Sequence, residues 1–157
     1  MVEVASKDPF IPLISTIPPK YSKEEGVAYI ERQWNRFDSG EGYAFAVAKQ
    51  DTDQAVGFVF LCYRGKDRGR ASLGYWIIEP FRRQGIAKTV LKAIVDWAQR
   101  DLAIERLELY AEPWNVASLK TAKSLGFQEE GLMRRWEKIG NERKDMLMLS
   151  LINGSVH

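Results

Sequence analysis

The feature that most constrains the fold is a change of period around Gly85. Ala71 to Ile78 reads as a strand. From Gln84 to Arg100 the chain instead carries Ile86, Val90, Ile94, Trp97 and Ala98 on one helical face, with Lys88, Lys92 and Gln99 opposite. Glu79-Pro80-Phe81 and then Arg82-Arg83-Gln84-Gly85-Ile86-Ala87 join the two. A helix N-terminus offers unpaired N–H groups and the positive end of the macrodipole, which suits a phosphate. Gly85 lets the backbone approach an anion closely, and Ala87 is small enough to do the same one step later. Arg82, Arg83 and Lys88 add positive charge that can grip phosphate oxygens. From these six residues alone, a plain strand-to-helix turn with a glycine for tight packing is an equal alternative.

The rest of the chain supplies a frame for this join. The first twenty residues, ending in Pro18-Pro19, read as a short helical remnant and a loop. Ser22-Lys23-Glu24-Glu25 is a capping box opening a helix whose apolar stripe is Val27, Ile30, Trp34 and Phe37, with Gly40 as the stop. Strand-like runs follow at 43–50 and 55–63, with Asp51-Thr52-Asp53 as the hairpin turn, and the polar segment 64–70 leads into the strand at 71–78. Beyond the long helix, Arg106 to Ala111 reads as a strand. Asn115 caps a helix over 116–125, and Gly126 suits its left-handed end. Two last strands, 128–138 and 145–151, meet through Gly140-Asn141. The order α-β-β-β-α-β-α-β-β over residues 1–157 predicts one α/β domain built on a mixed sheet.

Composition narrows the function classes. A net charge of +2 with interleaved signs gives no reason to expect nucleic acid. The chain has no apolar run near the ~20 residues that span a bilayer, and its N-terminus lacks a signal-peptide pattern, so a soluble cytoplasmic protein is expected. Cys62 has no partner for an internal disulfide and sits in an apolar run, which predicts a small buried hydrophobe rather than a catalytic thiol. The single histidine is His157, at the C-terminus, so neither a His-based triad nor a metal site is expected.

Taken together, the motifs resemble the GNAT acetyltransferases. The turn at Arg82 matches the Arg/Gln-x-x-Gly-x-Gly/Ala pattern of that superfamily. Asn115-Val116-Ala117-Ser118 followed by Lys123-Ser124-Leu125-Gly126-Phe127 is similar to the Asn-x-x-Ser…Gly-Phe helix of the RimJ/RimL-like subfamily, which acetylates protein N-termini. Leu73-Gly74-Tyr75-Trp76-Ile77, Glu130-Gly131, Arg134-Arg135 and Asp145 resemble the same group, and the likeness covers residues 22–151. It implies the acyl-CoA N-acyltransferase fold. The first strand and most of the first helix of that fold are not recognisable, and a missing edge strand would favour a homodimer.

The resemblance also implies roles. The main chain of Trp76, Ile77 and Ile78 would hold the pantetheine arm of acetyl-CoA. The turn and first helical residues Arg82, Arg83, Gln84, Gly85, Ile86, Ala87, Lys88 and Thr89 would take the pyrophosphate, and Asn115 would reach the pantetheine or water beside it. The tyrosine that many members use to protonate the departing sulfur is absent, because Ala122 stands at its position; Ser118 is the candidate acid instead. Glu79 and Glu112 are candidate bases, and Tyr110 occupies a position where other members carry a glutamate. The absence of an obvious base favours an α-amine acceptor, whose pKa of ~7.7–8 needs less help than a lysine at ~10.4. The expected reaction is direct transfer of acetyl to a primary amine in a ternary complex, releasing coenzyme A, with a protein N-terminus or similar group as acceptor. A polyamine, amino acid or antibiotic acceptor, or a non-catalytic acyl-CoA-binding domain, are the alternatives. Trp34, Phe45, Trp114 and Trp136 are expected in the core or on the acceptor pocket.

Overall fold

The structure, a computed structural model, describes residues 1–66 and 68–154, so His157 lies outside the described residues. Helices α1 (Val2–Lys7), α2 (Ile11–Ile14) and α3 (Lys23–Asp38) precede three strands, β1 (Gly42–Ala48), β2 (Ala55–Tyr63) and β3 (Arg70–Ile77). A 3-10 turn over Glu79–Phe81 leads into α4 (Ile86–Arg100), followed by β4 (Arg106–Ala111), α5 (Val116–Lys123), β5 (Gln128–Ile139) and β6 (Glu142–Ile152). The six strands form one sheet in the order β1-β2-β3-β4-β6-β5, antiparallel except where β3 meets β4. The mixed α/β architecture expected from the sequence is the one observed. No strand precedes α1 among the described residues, and β1 and β5 are the two edge strands of the sheet.

Local signals explain most element boundaries. Ser22 Oγ accepts the N–H of Glu25 at the head of α3, and Asn115 Oδ1 accepts that of Ser118 at the head of α5. Each satisfies one donor that a helix start leaves unpaired. Gly126 and Gly140 take φ of +92° and +61° at the turns where the chain must bend left-handed.

The strand period of two divides the core between the two faces of the sheet. On one face Val59, Leu61, Leu73, Leu107 and Leu109 pack against Leu91, Ile94, Val95 and Ala98 of α4. On the other, Phe58 and Trp76 pack with Tyr29 of α3 and with Val2, Ala5 and Ile11 from the N-terminal helices.

The orientation of α3 departs from the sequence expectation. Val27, Ile30, Trp34 and Phe37 are exposed, Trp34 by 66%, while Gly26 and Tyr29 face inward. Tyr29 meets Phe58 edge-on at 5.8 Å, and Gly26 passes close to the Tyr21 ring. These contacts turn the helix so that a single large aromatic, rather than the stripe, enters the core. Phe45, Trp114 and Trp136 are likewise exposed, at 41%, 46% and 42%. Of the four large aromatics expected in the core or on the acceptor pocket, none is buried and none lines the cavity between β3 and β4. Trp114 stands edge-on to Phe10, and Trp136 stacks on Tyr110 at 5.6 Å.

Candidate functional site

The site begins where the sheet splits. Strands β3 and β4 pair in parallel from Arg70↔Arg106 to Leu73↔Leu109, and the ladder stops there. Beyond that point β3 stays bound to β2 as far as Gly57↔Ile77, and β4 stays bound to β6 as far as Ala111↔Leu147. Each strand follows its other neighbour, so Gly74–Ile77 and Tyr110–Ala111 separate. A cavity of about 540 Å³ opens along this split, with Gly74, Tyr75, Trp76, Tyr110, Ala111, Asn115 and Ser118 on its wall.

The turn at the end of β3 lies at the head of α4. Arg83 and Gly85 both take left-handed φ, +60° and +78°. A Cβ on Gly85 would meet nothing within 4 Å, so the residue borders open space. No side chain caps α4, and its ladder starts with the Thr89 N–H donating to the Gly85 carbonyl. The N–H groups of Ile86, Ala87 and Lys88 therefore point out of the helix end without backbone partners, which is the arrangement an anion requires. Among the described residues Arg83 and Lys88 form no ion pair with a carboxylate. This geometry fits the diphosphate of a coenzyme A species.

Arg82 is placed differently from its neighbours. Its Nη2 donates to Asp8 Oδ2 at 2.6 Å, its Nε donates to the Ile77 carbonyl at 2.8 Å, and its guanidinium lies 5.2 Å from the Phe10 ring centroid. Asp8 also accepts the backbone N–H groups of Phe10, Ile11 and Glu79. Burial works to raise the Asp8 pKa, but the bonds from Arg82, Phe10 and Ile11 outweigh it and hold the carboxyl below its ordinary value. The charge of Arg82 is thus committed to tying the N-terminal helices to the turn. Its partner lies 74 residues away, and no local pattern around Asp8 announces it.

The remaining expected residues divide by position. Asn115 is buried and spends its carbonyl oxygen on the α5 cap. The Ser118 hydroxyl faces Tyr75, whose phenol donates to Ser118 Oγ at 3.4 Å. Glu112 lies on the cavity wall; Glu79 is exposed and is not among the residues that line the cavity. Tyr75 was missed by sequence reasoning because its pairing with Ser118 spans 43 residues. Cys62 is half-buried on the cavity wall rather than in the core, and burial raises its thiol pKa against the opposing charges of Arg36 and Arg64. Beside the cavity, Glu108 is almost fully buried between Arg70, Arg106 and the Tyr110 hydroxyl, each within 2.7 Å. Arg106 continues to Glu130, which also accepts from Ser150, and the Arg106 contact leads in lowering the Glu130 pKa to about 2.

Comparison with known proteins decides the family. The acetyltransferase (GNAT) domain model matches residues 4–128. The chain belongs to the GNAT acetyltransferases. The uncharacterized N-acetyltransferase p20 of Bacillus licheniformis is 31% identical over 113 residues, spanning 72% of this chain and 64% of p20. The structure of a putative ribosomal-protein-serine acetyltransferase from Vibrio cholerae shares 31% identity and a TM-score of 0.77, covering 84% of this chain and 76% of that one. The ribosomal L7/L12 α-N-protein acetyltransferase RimL, solved with coenzyme A, has the same fold with a TM-score of 0.82 at 23% identity, covering 95% and 84% of the two chains. Among the described residues no helix is long and apolar enough to cross a membrane.

Proposed function

We propose that this GNAT chain transfers acetyl from acetyl-CoA to a primary amine in a ternary complex, with a peptide N-terminus or a similar α-amine as acceptor. The observation that carries the reading is the split between β3 and β4, which opens a cavity beside the half of β3 that runs on toward the uncapped head of α4. Bound there, acetyl-CoA supplies an activated acetyl group: a C–N bond to the amine forms as the C–S bond breaks, and the thiolate released takes a proton.

The chain's own groups have distinct tasks in this scheme. The N–H groups of Ile86, Ala87 and Lys88, with the charges of Arg83 and Lys88, hold the diphosphate. The Ile78 N–H is taken by the Val56 carbonyl and the Ile77 carbonyl by Arg82, so of the main chain of Trp76 to Ile78 it is the Ile77 N–H, turned away from β2, that holds the pantetheine. Ser118, with Tyr75 behind it, delivers the proton to sulfur. Glu112, one of the carboxylates on the cavity wall, accepts the amine proton through water in this scheme, and an α-amine with a pKa of ~7.7–8 asks little of it.

Calorimetric titration with acetyl-CoA, followed by thiol release against a panel of peptide and small amines, tests the reading. Binding with acceptor-dependent thiol release is the expected result. Binding with no release against any amine would move the chain to the non-catalytic alternative.

A further inference from the structure

The cavity does not end where the β3–β4 ladder closes. The turn that faces α4 follows Ile78. Ser72 lies six residues back along the strand, about 20 Å at ~3.3 Å per residue, so the cavity wall around it is remote from the diphosphate end. Ser72, Gly74 and Trp76 share the sheet face of Phe58, Phe60 and α3, opposite the face covered by α4. On this far side two arginines reach the cavity. Arg36 projects from α3, donates through Nη1 to Gln33 Oε1 at 2.8 Å, and lies 5.1 Å from the Phe60 ring centroid. Arg64, just after β2, donates through Nε to the buried Ser72 Oγ at 2.9 Å.

Both side chains are oriented by neutral partners, and neither forms an ion pair among the described residues. Both line the one cavity, on the sheet face that Phe60, Cys62 and Ser72 share, and both oppose the rise that burial causes in the Cys62 thiol pKa. The carboxylates that share the cavity wall are Glu41, Glu112 and Glu137. Of these, Glu41 also acts on Cys62, and it stands exposed at the rim. Two guanidinium groups on one cavity wall, held by a ring and a serine with donors to spare, have the chemistry that binds a planar anion.

Resting on the acetyl-transfer reading, we infer that the acceptor carries a carboxylate beyond its amine, bound by Arg36 and Arg64. That carboxylate is either the acidic side chain of a residue following the N-terminal one in a peptide or the α-carboxylate of a free amino acid.

The test is calorimetric binding to the protein saturated with coenzyme A. The probes are the peptide amides Ala-Glu-Ala-Ala and Ala-Gln-Ala-Ala, and, as a second arm, free alanine against alaninamide. One arm or the other should favour its carboxylate member by at least ~10-fold, the effect of one charge-assisted hydrogen bond, and the arm that responds names the source. Arg36→Gln and Arg64→Gln should each shrink the ratio, Arg36→Lys should retain part of it, and the double variant R36Q/R64Q should bring it near one. Equal affinities within both pairs, no binding of any carboxylate probe, or an unchanged ratio in a folded double variant would overturn the inference. Thiol release from acetyl-CoA is measured separately. Carboxylate-selective binding without thiol release against any amine would overturn the transfer reading and leave the anion site standing.

Discussion

The Tyr75 hydroxyl lies 3.4 Å from Ser118 Oγ, linking the open half of β3 to the first turn of α5 across the mouth of the split. The spacing is long for an O–H···O bond, so either oxygen is free to turn toward a third atom. If the pair delivers a proton to sulfur, Ser118→Ala and Tyr75→Phe should each lower kcat by about 10- to 100-fold, toward the lower end of acid–base contributions because a thiolate leaves readily. Affinity for coenzyme A should change little. The double variant should be little worse than the worse single one, since two members of one relay are not additive. Steady-state kinetics of the four proteins check this; additive losses would separate the two residues.

The Asp8–Arg82 pair offers a test of how the turn is held. Asp8 is 3% exposed at its side chain and accepts from four groups, so Asp8→Ala leaves a guanidinium and three N–H groups without their partner. A loss of about 3 kcal/mol is expected, or roughly 6 °C or more in melting temperature. Coenzyme A affinity should fall as well, because the same carboxylate anchors the N–H of Glu79 at the start of the turn. Thermal melting and calorimetry on one sample measure both. A destabilised protein with unaltered affinity would uncouple the clasp from the site.

Acid should act through the buried carboxylates. Burial raises the pKa of Glu108, but Arg70, Arg106 and Tyr110 outweigh it, and the net shift is downward, as for Asp8. A folded-state pKa below the unfolded value means the group binds its proton more readily when unfolded. Its stabilisation is therefore present above the unfolded value of ~4 and is lost as pH falls through the folded one. Melting temperature should be flat from neutral pH to about 5 and drop below about 4. Glu108→Gln should flatten that drop while lowering stability at pH 7.

Much of this was legible in sequence because it is local. The Ser22 and Asn115 caps, the left-handed Gly126 and the change of period at Gly85 depend on residues within one turn of each other. What escaped is set by tertiary packing. The apolar stripe of α3 has the right spacing for burial, yet Tyr29 takes the inward position through contacts with Phe58 on another element. Arg82 reads as a free cation at a phosphate-binding turn until Asp8, far upstream, is brought against it. Arg36 and Arg64 look like ordinary surface charges, and only the sheet brings them to one cavity.

The head of α4 can be tested by a single substitution. Gly85 adopts φ +78° beside open space, so Gly85→Ala introduces backbone strain of about 1 kcal/mol without a clash. Gly85→Asp adds a carboxylate where the diphosphate is proposed to sit. Coenzyme A should bind at least ~10-fold more weakly to the aspartate variant than to the alanine one, the scale of a single charged contact. Equal affinities would place the diphosphate elsewhere.

The most direct measurement is calorimetric titration of the intact chain with acetyl-CoA, coenzyme A and ATP in parallel, with thiol release followed on adding a peptide amine. The account predicts saturable binding of both coenzyme A species, much weaker binding of ATP, and thiol release only when the amine is present. Failure of either coenzyme A species to bind at millimolar concentration, or binding no tighter than that of ATP, would contradict it.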